Sequence, residues 1–566
     1  MTNPRVVTRL GVCLVGLAAA ASGADPVPPH DLVFRGGRVV DGSGAPWFAA
    51  DVAVRDGRIA AIGRLEGQPA RRTIDATGLV IAPGFIDLLG QSEYNVLVDP
   101  RAASKITQGI TTEVTGEGVS IAPLNDRMLA EGRDVYARYG YTPEFRTIAG
   151  YFEAFEKRGA AINLGTLVGG GGVRDLVIGK ENRRATPAEL ERMCGLVDEA
   201  MREGALGLSS SLQYVPDMYN STEELVAMAR VAARHGGAYF THQRSESARI
   251  FESLDEVFRI AQEAAVRTQI WHLKTAYKPN FGRMGEVLAR IEAARGRGID
   301  VAANQYPWDR ASNGLDACLP PWSREGGREA LLKRLADPAT RERVKADMGR
   351  ETTEWENQWL GAGAGEGVMV AEVLSPALKR YEGRTVAAIA EAEKKDPRDV
   401  VLDIVAADRA NAYGILAIMD EKDVRMALAH PLVSFDCDSG AKAKDGPFAG
   451  ETSHPRGWGS TARILGHYVR DQKVLRLEEA VRKMTSFAAQ AAGIPDRGLV
   501  KVGLRADLAL FDPETVEARA TFADPNQYSA GIPYVAVNGV LVVDGGRITD
   551  ARPGHALRGP GYRGRR

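Results

Sequence analysis

"TPAELERMCGLVDEAMREG" (186–204), "ALGLSSSL" (205–212), "STEELVAMARVAARHGG" (221–237) and "GAYFTHQR" (237–244) follow one another along the chain. The first and third repeat apolar residues at the 3.6-residue period of a helix, with Thr186 in the N-cap position; the second and fourth are apolar runs of strand length. Outward from this stretch the same unit recurs. Further candidate strands are "VIAPGFIDLL" (80–89), "GITTEVTGE" (109–117), "INLGTLVGG" (162–170), "TQIWHLK" (268–274), "IDVAANQYP" (299–307) and "LVSFDCDS" (432–439). Eight strands alternating with helices predict an α/β fold, a (β/α)8 TIM-type barrel over residues 83–496.

The spacing stretches by more than 100 residues between Pro307 and Leu432, and the stretch holds the charged, helical "LLKRLADPATRERVKADMGRETTEWENQW" (331–359). An inserted helical subdomain at about 315–410, lying over the barrel mouth, is expected. Strand-type alternation with Gly or Asp-Gly breaks fills "DLVFRGGRVVDG" (31–42), "ADVAVRDGRIAAIG" (50–63) and "RTIDATGLVIAPG" (72–84). It returns only in "GLVKVGLRADLALFDP" (498–513) and "YVAVNGVLVVDGGRI" (534–548). One small β-sandwich domain built from both chain ends, 31–82 and 497–550, is the expectation. The Arg-rich tail 551–566 is expected to be a solvated extension.

Arg5 and Arg9 precede the uncharged apolar run Leu10–Ala21 and the small residues Ser22, Gly23 and Ala24, the order of a secretory signal peptide over 1–24. The run is too short to span a bilayer, so export without a membrane anchor, to the periplasm or medium, is expected. Once the signal is removed, three cysteines remain, an odd number that speaks against a disulfide framework. With 72 Lys+Arg against 73 Asp+Glu, a net charge of −1 gives no steering toward nucleic acid.

Chemistry on such a barrel belongs at the C-terminal strand ends. His242 ends the fifth strand and His272 the sixth, among only 8 histidines, so both imidazoles can aim at one ion. The second strand ends at Glu117, and the eighth offers Asp436 and Asp438, which strand alternation alone cannot separate. Two imidazoles, one carboxylate and a free Asp make a zinc hydrolase site in which the metal activates water and the Asp moves protons.

These residues, with "APGFID", "GITTEV", "SIAP", "GALGLSSSLQYVP", "HPRGWGSTARILG", "KMTSFAAQAAGI" and "RPGHALRGPGYR", resemble the amidohydrolase superfamily. More specifically they resemble its N-acyl-D-amino-acid deacylases, from Asp31 to Arg563. The resemblance implies a zinc-dependent hydrolase of the acyl amide bond in N-acyl-D-amino acids, with one Zn2+ per chain. It places His242 and His272 as zinc ligands and Asp438 as the catalytic aspartate. Tyr214, Lys274, Tyr306, Ser312 and Arg456 fall where the family holds the carboxylate and acyl portion of a small-molecule substrate.

The family's His-x-His reads Leu89-Gly90-Gln91 here, its Gly-His-Gly reads Gly169-Gly170-Gly171, and its zinc-binding cysteine gives way to Glu117 in Gly116-Glu117-Gly118. Glu117 as the substitute ligand is the expectation, a carboxylate being a good zinc donor. Two alternatives are a cyclic-amide hydrolase or dipeptidase on the same barrel, and a non-catalytic binding protein. The lack of a lysine in "GLSSSLQY" counts against a binuclear cyclic-amide hydrolase.

Overall fold

The computed structural model describes residue 1 and residues 29–564; the proposed signal peptide and the last two residues lie outside the described residues. The chain opens with β1 (His30–Val39), β2 (Phe48–Arg55), β3 (Arg58–Gly63), β4 (Ala70–Asp75) and β5 (Val80–Pro83). β1 and β2 pair antiparallel, and a shift of register between Phe34 and Gly37 divides β1 between two parallel neighbours, β4 and β5.

The barrel strands are β6 (Phe85–Asp87), β7 (Ile110–Thr115), β8 (Asn163–Thr166), β9 (Val168–Gly169), β10 (Gly207–Ser211), β11 (Ala238–His242), β12 (Thr268–Ile270) and β13 (Val301–Gln305). After an excursion containing β14 (Ala311–Gly314), β15 (Val368–Glu372) and β16 (Tyr413–Leu416), β17 (Val433–Phe435) completes the ring. β6, β7 and β8 form one parallel run, and β9 to β13 with β17 form the other. β8 and β9 are a single crossing interrupted at Leu167, which joins the runs. The last seam closes just beyond the strands, where Gly90 and Ser439 form a parallel bridge and Cys437 N–H donates to Asp87 Oδ1 at 2.9 Å.

A fully buried charge cluster holds that seam. Lys105 Nζ lies 2.8 Å from Asp87 Oδ2, 2.7 Å from Glu113 Oε1 and 2.7 Å from the Ser439 carbonyl. The barrel strands are buried along their whole length, as a parallel sheet covered by helices requires. Helices Pro187–Glu203 and Thr222–Arg234 start as the sequence directs, with capping boxes from Thr186 to Glu189 and from Ser221 to Glu224.

β18 (Leu508–Phe511), β19 (Tyr534–Val537), β20 (Val540–Asp544) and β21 (Arg547–Ile548) join the N-terminal strands through β18 and β5 in one nine-stranded system. Its halves share a core that includes Leu32, Phe34, Val52, Leu508 and Ala536.

Three expectations are corrected. "VIAPGFIDLL" is two strands in two sheets, divided at Gly84, whose N–H bonds to the Asp507 carbonyl of the end-built domain at 2.8 Å. The insertion is not purely helical: β14 and β15 flank β16 in an antiparallel sheet beside helices such as Arg328–Ala336 and Pro397–Ala407. Residues 551–564 are not a solvated extension. Leu164 bridges Ala556, Gly554 N–H reaches the Ala160 carbonyl, Gly559 N–H the Gly204 carbonyl, and Arg558 pairs with Glu156 at 2.8 Å. The glycines let this backbone lie against the barrel, so its polar groups are satisfied by protein rather than water.

Candidate metal centre and active site

Glu117 sits two residues beyond β7 in a tight loop. Gly116 before it adopts a φ of +97°, and a Cβ there would stand 2.6 Å from the Leu167 carbonyl, so the turn that tucks Glu117 inward requires glycine. Its Oε1 lies 3.1 Å from His242 Nδ1 and 3.6 Å from His272 Nε2 and accepts from Ser211 Oγ at 3.2 Å. β11 and β12 are hydrogen-bonded neighbours, which brings the two imidazoles edge to face at 4.4 Å. His272 lies past the end of β12 at a φ of +35°, its N–H fixed by Asn304 Oδ1 at 2.7 Å.

These residues fit a divalent cation. Their ligand atoms lie within 4.8 Å of one another. Donors on one tetrahedral zinc stand about 3.3–3.6 Å apart, close to the spacings found around Glu117 Oε1. His242 Nε2 is buried without a hydrogen-bond partner.

The sequence reading missed Glu246. Its Oε1 is 3.0 Å from His272 Nδ1 and 2.6 Å from Lys274 Nζ, and its Oε2 is 4.0 Å from His242 Nε2. Glu246 thus backs the His272 imidazole, the arrangement that fixes ring orientation in metal sites, and stands beyond hydrogen-bonding distance of His242. The available signal was its place in "THQRSE", four residues after His242. Burial and the Lys274 ammonium act to lower the pKa of His272, but Glu246 and Glu117 outweigh them and hold it at about 9. Burial works to raise Glu117, yet its bonds to His242 and His272 keep it far below the usual carboxylate range.

Asp438 is distinguished from Asp436 by backbone geometry. β17 ends at Phe435, and Asp438 takes a φ of +45°, so strand alternation no longer applies. Its Oδ1 accepts from Gln91 Nε2 at 2.8 Å, its Oδ2 pairs with Arg456 at 2.7 Å, and it lines the cavity containing Glu117, His242 and His272. Burial raises its pKa, opposed chiefly by Arg456 and His272. Asp436 is fully buried with both carboxyl oxygens unpartnered, and burial, then the neighbouring Asp438, pushes its pKa well up. Gln91, another residue the sequence reading left without a role, also donates to Glu117 Oε2 at 3.0 Å. It stands at the second histidine of the family's His-x-His.

The metal-facing cavity, of about 230 Å³, is also lined by Tyr214, Lys274, Tyr306 and Ser312. Arg456 opens instead into an adjoining cavity of about 320 Å³ that shares Gln91, Ser312, Tyr413 and Asp438 with the first. The insertion supplies Gln358 to the walls, and the strands at its two edges supply Ser312, Asn313 and Tyr413, so this segment lies at the mouth. Arg456 lies over the Tyr306 ring at 4.7 Å and donates to the Ser312 carbonyl at 3.0 Å. The Tyr306 hydroxyl meets the Met419 sulfur at 3.3 Å, and Asn313 Nδ2 donates to the Tyr214 hydroxyl at 3.2 Å.

Residues 441–543 match the model of the amidohydrolase family. Over 530 residues the chain is 36% identical to the D-aminoacylase of Alcaligenes xylosoxydans xylosoxydans, covering 94% of this chain and 98% of that protein. A crystal structure of D-aminoacylase superposes with a TM-score of 0.78 at 35% identity, over 94% of this chain and all of the other. The N-acyl-D-glutamate deacylase of Bordetella bronchiseptica, solved with zinc and a phosphonate mimic of the tetrahedral intermediate, superposes with a TM-score of 0.77 at 32% identity, over 94% of this chain and all of that one. The chain belongs to the N-acyl-D-amino-acid deacylase, or D-aminoacylase, family of amidohydrolases.

Proposed function

We propose that this chain is a zinc-dependent hydrolase that cleaves the acyl amide bond of N-acyl-D-amino acids. The observation carrying this reading is the convergence of Glu117, His242 and His272 in a cavity that Asp438 also lines. Glu117, His242 and His272 would hold one zinc ion. Bound there, zinc would polarise the acyl carbonyl and make water a better nucleophile near neutral pH. Asp438 takes a proton from the attacking water and hands it to the departing nitrogen as the carbon–nitrogen bond breaks. A carboxylic acid and a free D-amino acid result. Gln91 holds one Asp438 oxygen so that the carboxylate stays aimed into the cavity.

Arg456 recognises the α-carboxylate, since its guanidinium is the cation nearest the proton donor. Lys274 was expected to share that task. Its ammonium already meets Glu246, which favours support of the ligand histidine His272 over a direct hold on substrate. Tyr214, Tyr306 and Ser312 shape the cavity wall.

The test is release of free D-amino acid from an N-acyl-D-amino acid by purified protein, with zinc counted per chain. One zinc per chain, lost in Glu117→Ala together with activity, is expected. Zinc retained in that variant while both histidines are needed would remove Glu117 from the ligand set.

Export belongs to the same proposal. Arg5, Arg9 and the run Leu10–Ala21 support a cleaved leader, and among the described residues no helix is long and apolar enough to cross a membrane. N-terminal sequencing of the protein from a periplasmic fraction would show a start near residue 25; an intact Met1 would refute it.

A further inference from the structure

The adjoining cavity of about 320 Å³ has a chemistry distinct from that of the metal-facing one. Tyr94, Tyr139, Phe448 and Tyr413 line it, with the Tyr139 and Phe448 rings 5.1 Å apart and the Tyr94 and Tyr139 rings 6.2 Å apart. Two of its cations, Lys442 and Arg328, face acidic neighbours, and the third, Arg456, is the one assigned to the α-carboxylate. Lys442 Nζ lies 2.6 Å from Glu372 Oε2 and 3.0 Å from Glu451 Oε2, two carboxylates on one ammonium. Arg456 pairs with Asp438 at 2.7 Å, and Arg328 stands 3.7 Å from Asp134. Glu451 is 2% exposed and also accepts from the Tyr139 hydroxyl at 2.7 Å, so the charges sit in a fixed, water-poor wall.

The position of the proton donor tells which half of the substrate enters here. Asp438 must reach the departing nitrogen, so the amino-acid half lies on its side of the scissile bond and the acyl half lies toward Tyr214 and Asn313. Asp438 and Arg456 both line the aromatic cavity. With the α-carboxylate on Arg456, the substituent on the same carbon points into it.

We infer that this cavity is the side-chain pocket, and that it selects N-acyl-D-amino acids with neutral aromatic side chains and rejects those with a side-chain carboxylate; the inference rests on the hydrolytic reading above. An aromatic side chain gains ring contacts with Tyr139 and Phe448. An acidic one meets Glu372 at the cavity wall, where Lys442 is already held by two carboxylates and Arg456 is taken by the α-carboxylate, and like-charge juxtaposition in a partly desolvated pocket is strongly disfavoured. Glu372 is therefore the specificity-determining residue: it completes the neutralisation of Lys442 at the cavity wall while touching no reacting atom.

The experiment compares N-acetyl-D-phenylalanine with N-acetyl-D-glutamate on the zinc-loaded full chain. The parent should favour the aromatic compound by about 100-fold or more in kcat/KM, a difference of about 2.7 kcal/mol. Glu372→Gln frees part of Lys442 and should narrow that ratio at least about tenfold, raising use of the glutamate compound with zinc content unchanged. Phe448→Ala should cost the phenylalanine compound about tenfold in kcat/KM.

Equal kcat/KM for both compounds in the parent, or a ratio unmoved by Glu372→Gln, overturns the pocket assignment. Calorimetric binding of the same two compounds separates the two readings. A chain that hydrolyses neither but binds the aromatic one at least tenfold tighter refutes the hydrolytic reading and supports the pocket. Equal binding refutes the pocket.

Discussion

Gln91 donates its side-chain amide to Asp438 Oδ1 at 2.8 Å across a sequence separation of 347 residues, and the same nitrogen reaches Glu117 Oε2 at 3.0 Å. A neutral amide thus ties the proton carrier to a proposed metal ligand at a position where the wider family has histidine. A hydrogen bond to a charged group is worth about 1.5–3 kcal/mol. Gln91→Leu should therefore lose about one to two powers of ten in kcat while keeping its zinc. Elemental analysis beside steady-state kinetics checks both halves; loss of zinc in step with activity would mean that Gln91 serves the metal instead.

Asp438→Asn should lose about 10²–10⁴-fold in kcat with zinc retained, the usual cost of removing a general acid/base. Asp436→Asn should be milder, because its unpartnered carboxyl is already held toward the neutral form. The reverse order of the two variants would transfer the proton shuttle to Asp436.

Glu246 backs the ligand histidine His272, so Glu246→Gln should weaken zinc affinity by about 10–100-fold. Competition with a chelator of known affinity reads this directly. A variant that holds zinc as tightly as the parent would leave Glu246 with only its Lys274 partnership.

Lys105, Asp87 and Glu113 are all 0% exposed, so removing the lysine strands two buried carboxylates at the barrel seam. Lys105→Met should destabilise the fold by about 3–5 kcal/mol, read as a shift in the denaturant midpoint. An unchanged midpoint would show that the seam does not depend on this cluster.

Glu93 carries the clearest pH dependence. Burial, then Glu113 and Glu117, raise its carboxyl pKa from 4.5 to about 7, and its Oε2 is sealed without a partner. The folded state keeps a proton that the unfolded chain loses above pH 4.5. The associated stability is thus fully present below pH 4.5 and is lost as pH rises through 7. The shift corresponds to about 3 kcal/mol. Glu93→Gln should flatten the fall in Tm between pH 4.5 and 8, measured calorimetrically; an equally steep fall in the variant would assign it to other groups.

The amino-acid sequence by itself determined the strand-and-helix order, because every barrel strand is a short buried run and the helices between them carry a 3.6-residue apolar stripe. It also placed His242 and His272 together, since the adjacent parallel strands β11 and β12 carry them to one rim, where Glu117 joins them from the loop after β7. Tertiary structure alone decided the rest. The split at Gly84, the sheet inside the insertion and the docking of residues 551–564 are set by backbone hydrogen bonds to distant partners, which local periodicity does not encode. Strand alternation left Asp436 and Asp438 open and the family resemblance pointed to Asp438; what only the structure shows is the left-handed backbone conformation past the end of β17 at Asp438, which lines the cavity. Glu246 and Gln91 gained their roles in the same way. Each is an ordinary polar residue in the linear chain, and only closure of the barrel brings its side chain within hydrogen-bonding distance of the site.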